Sequence, residues 1–253
     1  MNRKIILALP IALGGLALGA SGSSAANLVQ NGGFETSTNS VSTLLNNPDS
    51  SVTNWTNNGT FVLYCTAAAG TTCDSQSSLG GFQLAGPGNG NNNGLTSSPQ
   101  GGAYMAFDSD PAFAGSFSQT IAGLTVGDTY TLSFYAGGAQ EIFGGAPPTT
   151  RSITATLGNE TFSTPTIDTP SQGFSPWELF STTFTYTGGG DVLSFLANGG
   201  PGGAPPYALL DGVSLVTTTG GTPEPSTWVM IVAGFAGLGL VARSRRQSKA
   251  IHA

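Results

Sequence analysis

The sequence predicts an all-β fold, a jelly-roll-like β-sandwich of eight or nine strands. Phe, Tyr, Val, Leu and Ile recur in short alternating runs, which is the pattern of half-buried strands. Gly, Ser, Thr and Asn fill the segments between these runs, and long helix formers are scarce, so strands and turns are favoured. Short strands separated by turn residues are typical of a two-sheet sandwich. Disorder is the alternative for a chain of such low charge, but the alternation favours an ordered domain.

The clearest strand follows a Gly-Asp turn at 127–128 and places three large side chains on one face: Tyr130, Leu132 and Phe134. Other strands are predicted at 27–30, around Trp55, and at 60–64, 103–107, 115–121, 153–157, 177–186, 191–197 and 207–216. In the last strand, alternation predicts that one face carries Leu209, Asp211, Val213 and Leu215. Residues 80–100 are dominated by Gly, Asn and Ser and are predicted to form an exposed loop.

The first 26 residues have the organisation of a secretory signal peptide. Arg3 and Lys4 precede an apolar run at 5–20, and small residues fill 21–26. This pattern predicts a signal helix that is cleaved near Ala26, and export of the remaining chain. An uncleaved N-terminal anchor is the alternative, but the small-residue site favours cleavage.

The other end of the chain predicts a short transmembrane helix at 228–242. At a rise of about 1.5 Å per residue this helix reaches about 22 Å, less than the roughly 30 Å of a bilayer core. A basic cluster follows it and is expected to stay cytoplasmic by the positive-inside rule: Arg243, Arg245 and Arg246. The domain at 27–216 would therefore face the periplasm, joined to the helix by a linker at 217–222.

A proline-rich motif precedes the helix, formed by Pro223, Glu224 and Pro225. Motif, helix and basic cluster together resemble the PEP-CTERM sorting tail of Gram-negative bacteria, here at 223–249. The resemblance implies that an exosortase recognises the motif and processes an inner-membrane-anchored precursor. The product would then be released to the cell surface or the extracellular matrix.

The charge of the exported part excludes nucleic acid as a partner. Residues 27–222 hold 12 of the 13 acidic residues and only one of the seven basic ones, Arg151, so the net charge is near −11. Such a surface cannot neutralise phosphates and would be repelled by anionic lipid. The absence of Lys from this region also excludes a P-loop and Schiff-base chemistry.

Cys65 and Cys73 are the two cysteines of the chain. In an exported segment they predict a disulfide that closes a short loop and contributes about 2–3 kcal/mol of stability. A redox pair is the alternative, but the C-x-x-C spacing is lacking.

Three segments, 27–35, 124–135 and 210–215, together resemble the galactose-binding-like jelly roll that carbohydrate-binding modules share. The resemblance implies a structural calcium where the first and last strands meet, with Glu35 and Asp211 as carboxylate ligands. The simpler interpretation is a solvated Glu35 and a hydrogen-bonded Asp211. Asp108 and Asp110 could also bind a cation, although loop capping is the better interpretation of that pair.

Catalysis is not expected, because the single histidine, His252, lies beyond the basic cluster and no Ser-His-Asp, Cys-His or His-metal site can form. The expected function is that of a non-catalytic surface or matrix protein that binds extracellular polysaccharide weakly. Two alternatives stay open: a secreted carbohydrate-active enzyme with paired carboxylates, and a structural or adhesive module. Six aromatic residues are available for stacking on sugars, although core packing is the usual role of each: Trp55, Tyr64, Tyr104, Tyr135, Trp177 and Tyr207.

Overall fold

The computed structural model describes residues 25–70, 72–142, 147–202 and 205–218. In chain order the strands are β1 (Thr43–Leu44), β2 (Thr56–Asn57), β3 (Val62–Cys65), β4 (Tyr104–Asp108), β5 (Phe117–Thr120), β6 (Thr129–Gln140), β7 (Thr149–Leu157), β8 (Glu160–Ser163), β9 (Ile167–Thr169), β10 (Phe174–Thr185), β11 (Val192–Gly200) and β12 (Pro206–Thr217). Two short 3₁₀ helices lie between β3 and β4, at Ser77–Phe82 and Pro87–Asn89.

The strands form two facing antiparallel sheets, which confirms the predicted sandwich. The first sheet has the order β1-β3-β4-β12-β6-β10, so β10 is an edge strand. The second has the order β2-β5-β11-β7-β8, and β9 pairs with the start of β7. Nine of the described strands have four or more residues, in line with the eight or nine predicted, and the other three have two or three.

The main core fills the space between the sheets. The predicted inward face of β6 is confirmed, since Tyr130, Leu132 and Phe134 are fully buried there. In the same core, Trp55 stacks on Phe117 with 5.0 Å between ring centres. Burial of these large side chains is the main favourable contribution to folding.

A second apolar cluster lies on the outer face of the first sheet, under residues 66–100, which we call the covering segment. Leu84 and Leu95 of this segment are buried against Tyr104 and Leu209 of the sheet. The prediction of an exposed loop at 80–100 is therefore only partly right: the segment is a loop with many exposed residues, but Leu84, Ala85 and Leu95 are buried. The few apolar residues of the segment hold it against the sheet, and the rest of its composition gives it an irregular backbone.

The face prediction for β12 is also wrong, because a bulge interrupts its alternation. The register against β6 shifts between Asp211 and Ser214, and Gly212 adopts a φ of 61° that favours glycine. Leu209 consequently packs on the outer face, whereas Val213 and Leu215 belong to the core between the sheets.

Residues 27–30 do not form the predicted strand. Leu28 donates one backbone hydrogen bond to Leu215 O at 2.8 Å, without a continuous ladder. The Asn27 side chain takes over part of the pairing, because its Oδ1 accepts from the backbone N–H groups of Val29 and Leu215. Side-chain to backbone bonds of this kind compete with sheet pairing.

Candidate functional site

An open groove of about 640 Å³ runs along one edge of the sandwich. One wall is formed by residues 164–168 and Pro170, which lead into and out of β9. The other wall is formed by residues 174–176 and 178–181 of the edge strand β10, and Ala136 of β6 contributes to the lining between them. The volume lies in the range of pockets that hold small organic ligands.

β10 bulges at its start, beside the groove. The register of β10 against β6 shifts between Ser175 and Glu178, so that Pro176 and Trp177 together oppose Gly137. Trp177 lies on the outer face, where a Cβ at residue 137 would be 3.4 Å from its Cδ2 atom. The absence of a side chain at Gly137 therefore makes room for the Trp177 ring on the far side of the sheet from the core.

A buried guanidinium lies behind the groove. Arg151 is 1% exposed, and its Nη1 and Nη2 donate to Thr169 Oγ1 and Thr149 Oγ1. Burial lowers the pKa of Arg151 to about 9, and the negative charge of Asp168 opposes that change. Within the described residues its Nε is a buried group without a hydrogen-bond partner.

Thr169 connects this guanidinium to the groove through an ordered chain of hydroxyls. Ser175, which lines the groove, donates its hydroxyl proton to Asp168 O at 2.5 Å. Thr169 must therefore be the donor in its 2.5 Å bond with Ser175, because Ser175 has no second proton. Ser175 consequently offers the groove only a lone pair, which can accept a hydrogen bond from a ligand.

Two carboxylates and an apolar surface complete the lining. Asp168 and Glu178 are both exposed, one on each wall. Phe180 packs on Phe134 of the core with 4.9 Å between ring centres, and Leu179 is 59% exposed. The groove thus combines charged oxygen atoms with apolar carbon surface.

No family model matches this chain, and no curated protein does. Solved structures with a similar backbone include the carbohydrate-binding module TmCBM61 in complex with β-1,4-galactotriose, at a TM-score of 0.39 and 15% identity over 76% of this chain and 99% of the module. Another is the arabinose-bound α-L-arabinofuranosidase MgGH51, at 0.45 and 13% over 79% of this chain.

A third is the enzymatically active domain of tailspike protein 4 of bacteriophage CBA120, at a TM-score of 0.36 and 14% identity over 76% of this chain. This chain spans 21% of the tailspike and 27% of the arabinofuranosidase. At these scores and identities the similarities assign no function.

The structure brings the two predicted calcium ligands together. A Cβ at Gly33 would lie 3.9 Å from Asp211 Oδ1 and 4.0 Å from Glu35 Oε1, so both carboxylate oxygens lie about 4 Å from the same point. Ser98 Oγ donates to Asp211 Oδ2, and Ala103 N donates to Glu35 Oε1 at 2.9 Å. Burial raises the pKa of Asp211 to about 7, and the charge of Glu35 adds to that increase.

This donor set fits part of a calcium site. Two carboxylates and the Ser98 hydroxyl are hard oxygen donors, which calcium prefers, but six to eight oxygens are needed. The described residues contain no group of three or more His, Cys, Asp or Glu side chains that could hold a metal. Backbone carbonyls or water would have to supply the remaining ligands. The assignment of Glu35 and Asp211 as ligands therefore stays a prediction.

Two other buried carboxyl groups flank Tyr207, away from the groove. Tyr207 Oη donates to Glu141 Oε1 at 3.3 Å, and Asp108 opposes Tyr207 in the sheet register. Burial raises the pKa of Glu141 to about 7 and that of Asp108 to about 6. Asp108 also accepts a bond from the Asp110 backbone at 2.9 Å, and Asp110 accepts one from Ala112, which is the arrangement of loop capping.

Most of the candidate sugar-stacking residues are part of the packed interior. Four of the six are buried: Trp55, Tyr64, Tyr104 and Tyr207. The other two, Tyr135 and Trp177, are half-buried. Trp177 meets Tyr104 edge to face at 5.4 Å and donates its Nε1 proton to Thr96 O at 3.1 Å, so its ring helps to hold the covering segment.

The predicted disulfide between Cys65 and Cys73 is confirmed, with 5.2 Å between the Cα atoms. Residues 1–24 of the predicted signal peptide, the sorting motif at Pro223, Glu224 and Pro225, and the basic tail lie outside the described residues. So does the predicted span at 228–242. Across 25–70, 72–142, 147–202 and 205–218, the structure has no helix that is both long and apolar enough to cross a bilayer.

The groove was not anticipated from the sequence, although one signal points to it. Pro165, Pro170 and Pro176 interrupt the region between β8 and the middle of β10, where an unbroken sheet edge cannot form. The isolated Arg151 was a second signal, since a single basic residue in a strongly acidic domain invites a structural explanation. Neither signal shows that the two features are neighbours.

Proposed function

We propose that this chain is an exported, non-catalytic surface or matrix protein that binds glycan in the edge groove. The groove itself is the observation that carries the proposal. Its oxygen atoms suit the hydroxyl groups of a sugar, and Phe180, which faces the same side of β10 as Glu178, offers apolar surface to the C–H face of a pyranose ring. Extracellular polysaccharide is the partner that such a lining and an exported location suit best.

A non-catalytic role is supported by the positions of the perturbed carboxyl groups. A general acid is typically a carboxyl group held in an apolar setting that raises its pKa. The carboxyl groups of that kind are Asp108, Glu141 and Asp211, and none of the three lines the groove. Asp168 and Glu178 do line it, but both are open to solvent.

Because two carboxylates share the groove, a carbohydrate-active enzyme is the second candidate. Release of reducing sugar from a glycan that the protein binds, abolished by Asp168→Asn or Glu178→Gln, would favour that enzyme. Binding without any product would favour the first proposal.

The binding test uses the purified full-length chain in detergent on an array of bacterial and plant glycans. Phe180→Ala removes apolar surface from the groove and should weaken binding about tenfold, since a buried apolar contact contributes about 1–2 kcal/mol. Phe162→Ala is the matched control, because Phe162 is also a half-buried phenylalanine packed against the core but lies outside the groove. Equal affinities of both variants and the wild type would place binding elsewhere or refute it.

We further propose that residues 1–26 direct export and that exosortase processes the chain at the sorting tail. The support is the sequence order of signal peptide, Pro-Glu-Pro motif, short apolar stretch and arginines. Mass spectrometry of the protein from wild-type and exosortase-deficient cells tests this directly. A shortened C-terminus in wild-type cells alone is expected, and an identical C-terminus in both would refute the sorting role.

A further inference from the structure

The groove lining offers carboxylates and lone pairs as acceptors beside a limited set of donors, which are backbone N–H groups and the hydroxyls of Thr164, Thr166 and Ser181. Pro165, Pro170 and Pro176 all line it, and none of them has a backbone N–H to donate. Ser175 has already donated its proton to Asp168 O. With the carboxylates of Asp168 and Glu178, the lining therefore favours a ligand that supplies protons.

The charge of the groove points in the same direction. Arg151 is the only basic residue of 27–222, and it is buried behind Thr169 rather than exposed in the groove. The guanidinium and the Asp168 carboxylate attract each other, but the guanidinium does so from the interior and not from the groove surface. The ligand thus meets two carboxylates on the surface of a domain whose net charge is near −11, and this field attracts cations.

We propose that the groove selects glycans whose sugars carry free amino groups, an inference that rests on the proposed glycan-binding function. A protonated amine donates three hydrogen bonds and carries a positive charge. The described surface offers no such charge to Asp168 or Glu178, because Arg151 is buried. The ring of an amino sugar keeps the C–H face that Phe180 can contact. Uronic acids, by contrast, would bring a third carboxylate into an acceptor-lined groove.

The test compares two probes of equal length and linkage, a β-1,4-glucosamine hexamer and its fully N-acetylated counterpart. Affinities for the full-length chain are measured by calorimetry at about pH 5.5, where the amines are protonated. At low ionic strength the glucosamine hexamer should bind about tenfold more tightly or better, and salt should reduce that preference because exposed charges are screened.

Glu178→Gln should remove most of the preference for the glucosamine hexamer, because it removes one of the two carboxylates of the groove. Asp191→Asn is the control, because Asp191 is an exposed carboxylate outside the groove and should leave the preference intact. Equal affinities of the two probes for the wild type would overturn the amino-sugar inference and leave glycan binding standing. An absence of binding to both probes and to every glycan of the array would overturn the two proposals together.

Discussion

Gly138 of β6 and Arg151 of β7 face each other between the two sheets, and the guanidinium fills the space that a side chain at residue 138 would need. A Cβ there would clash with Nη1 and lie 2.6 Å from Thr169 Oγ1. Because Nη1 and Nη2 are each bonded to a threonine hydroxyl, the guanidinium cannot move aside without losing a buried bond. A glycine in the interior of a strand thus accommodates the one buried cation of the described residues.

Gly138→Ala is therefore expected to lower the free energy of unfolding by about 2–4 kcal/mol, through overpacking or a broken charged hydrogen bond. Denaturant unfolding followed by tryptophan fluorescence measures the change. Gly200→Ala is the control, because a Cβ at residue 200 meets open space. Similar losses from both substitutions would show that the Arg151 contact does not matter.

The buried carboxyl of Glu141 predicts an unusual dependence of stability on pH. Its folded-state pKa of about 7 lies above its ordinary value of 4.5, so the folded protein holds the proton more tightly than the unfolded chain. The contribution of Glu141 to the free energy of unfolding is at most about 3 kcal/mol. It is fully present below the ordinary pKa and is lost as the pH rises through the folded-state pKa. Glu141→Gln should reduce the loss of stability over that range, while Asp108 and Asp211 retain their share of it, and the variant should be more stable than the wild type at about pH 8.

Urea unfolding at several pH values tests this prediction. Glu178→Gln serves as the control, because it makes the same substitution at an exposed carboxylate and should keep the wild-type profile. If Glu141→Gln and the wild type lose stability in parallel as the pH rises, Glu141 is not the titrating group.

Calcium binding by Glu35 and Asp211 predicts a stability increase that depends on both carboxylates. After chelator treatment, added calcium should raise the melting temperature of the full-length chain. At a calcium concentration a hundredfold above Kd, the expected gain in the free energy of unfolding is about 2.7 kcal/mol. Asp211→Asn should abolish the calcium response, whereas Asp191→Asn should retain it. A wild-type melting temperature that ignores calcium would refute the predicted site.

Loss of the Cys65–Cys73 bond is expected to cost about 2–3 kcal/mol, since it closes a loop between residues eight positions apart. The double substitution Cys65→Ala/Cys73→Ala and reduction of the wild type should produce the same decrease in denaturant midpoint. A decrease on reduction that also occurs in the double variant would point to a cause other than this bond.

The sequence predicted those features that depend on local periodicity and on composition. Alternation along β6 predicted the buried face correctly, because residues 129–134 of this strand contain no bulge. The disulfide followed from two cysteines in an exported segment. The closeness of Glu35 and Asp211, 176 positions apart, was not visible in periodicity and was suggested by the resemblance to a jelly roll.

The groove and the covering segment could not be predicted, because both depend on contacts between distant parts of the chain. One wall includes β9, which pairs with the start of β7, and the other includes the bulge of β10 near Trp177, and neither contact is visible in the local sequence. Likewise, Leu84 and Leu95 are isolated apolar residues in a polar segment, and nothing local shows that a sheet lies beneath them.

The bulge at Gly212 makes β12 a strand whose two halves serve opposite layers of the molecule. Up to Leu210 the odd-numbered residues face the covering segment, and from Val213 onward they face the core. In an unbulged strand of the same sequence, simple alternation would place Val213 and Leu215 on the outer face together with Leu209 and Asp211. The extra residue therefore keeps both apolar groups in their layers, and position 212 does not tolerate a bulkier residue, because a Cβ there would lie 2.6 Å from Gln100 Cγ at a φ of 61°.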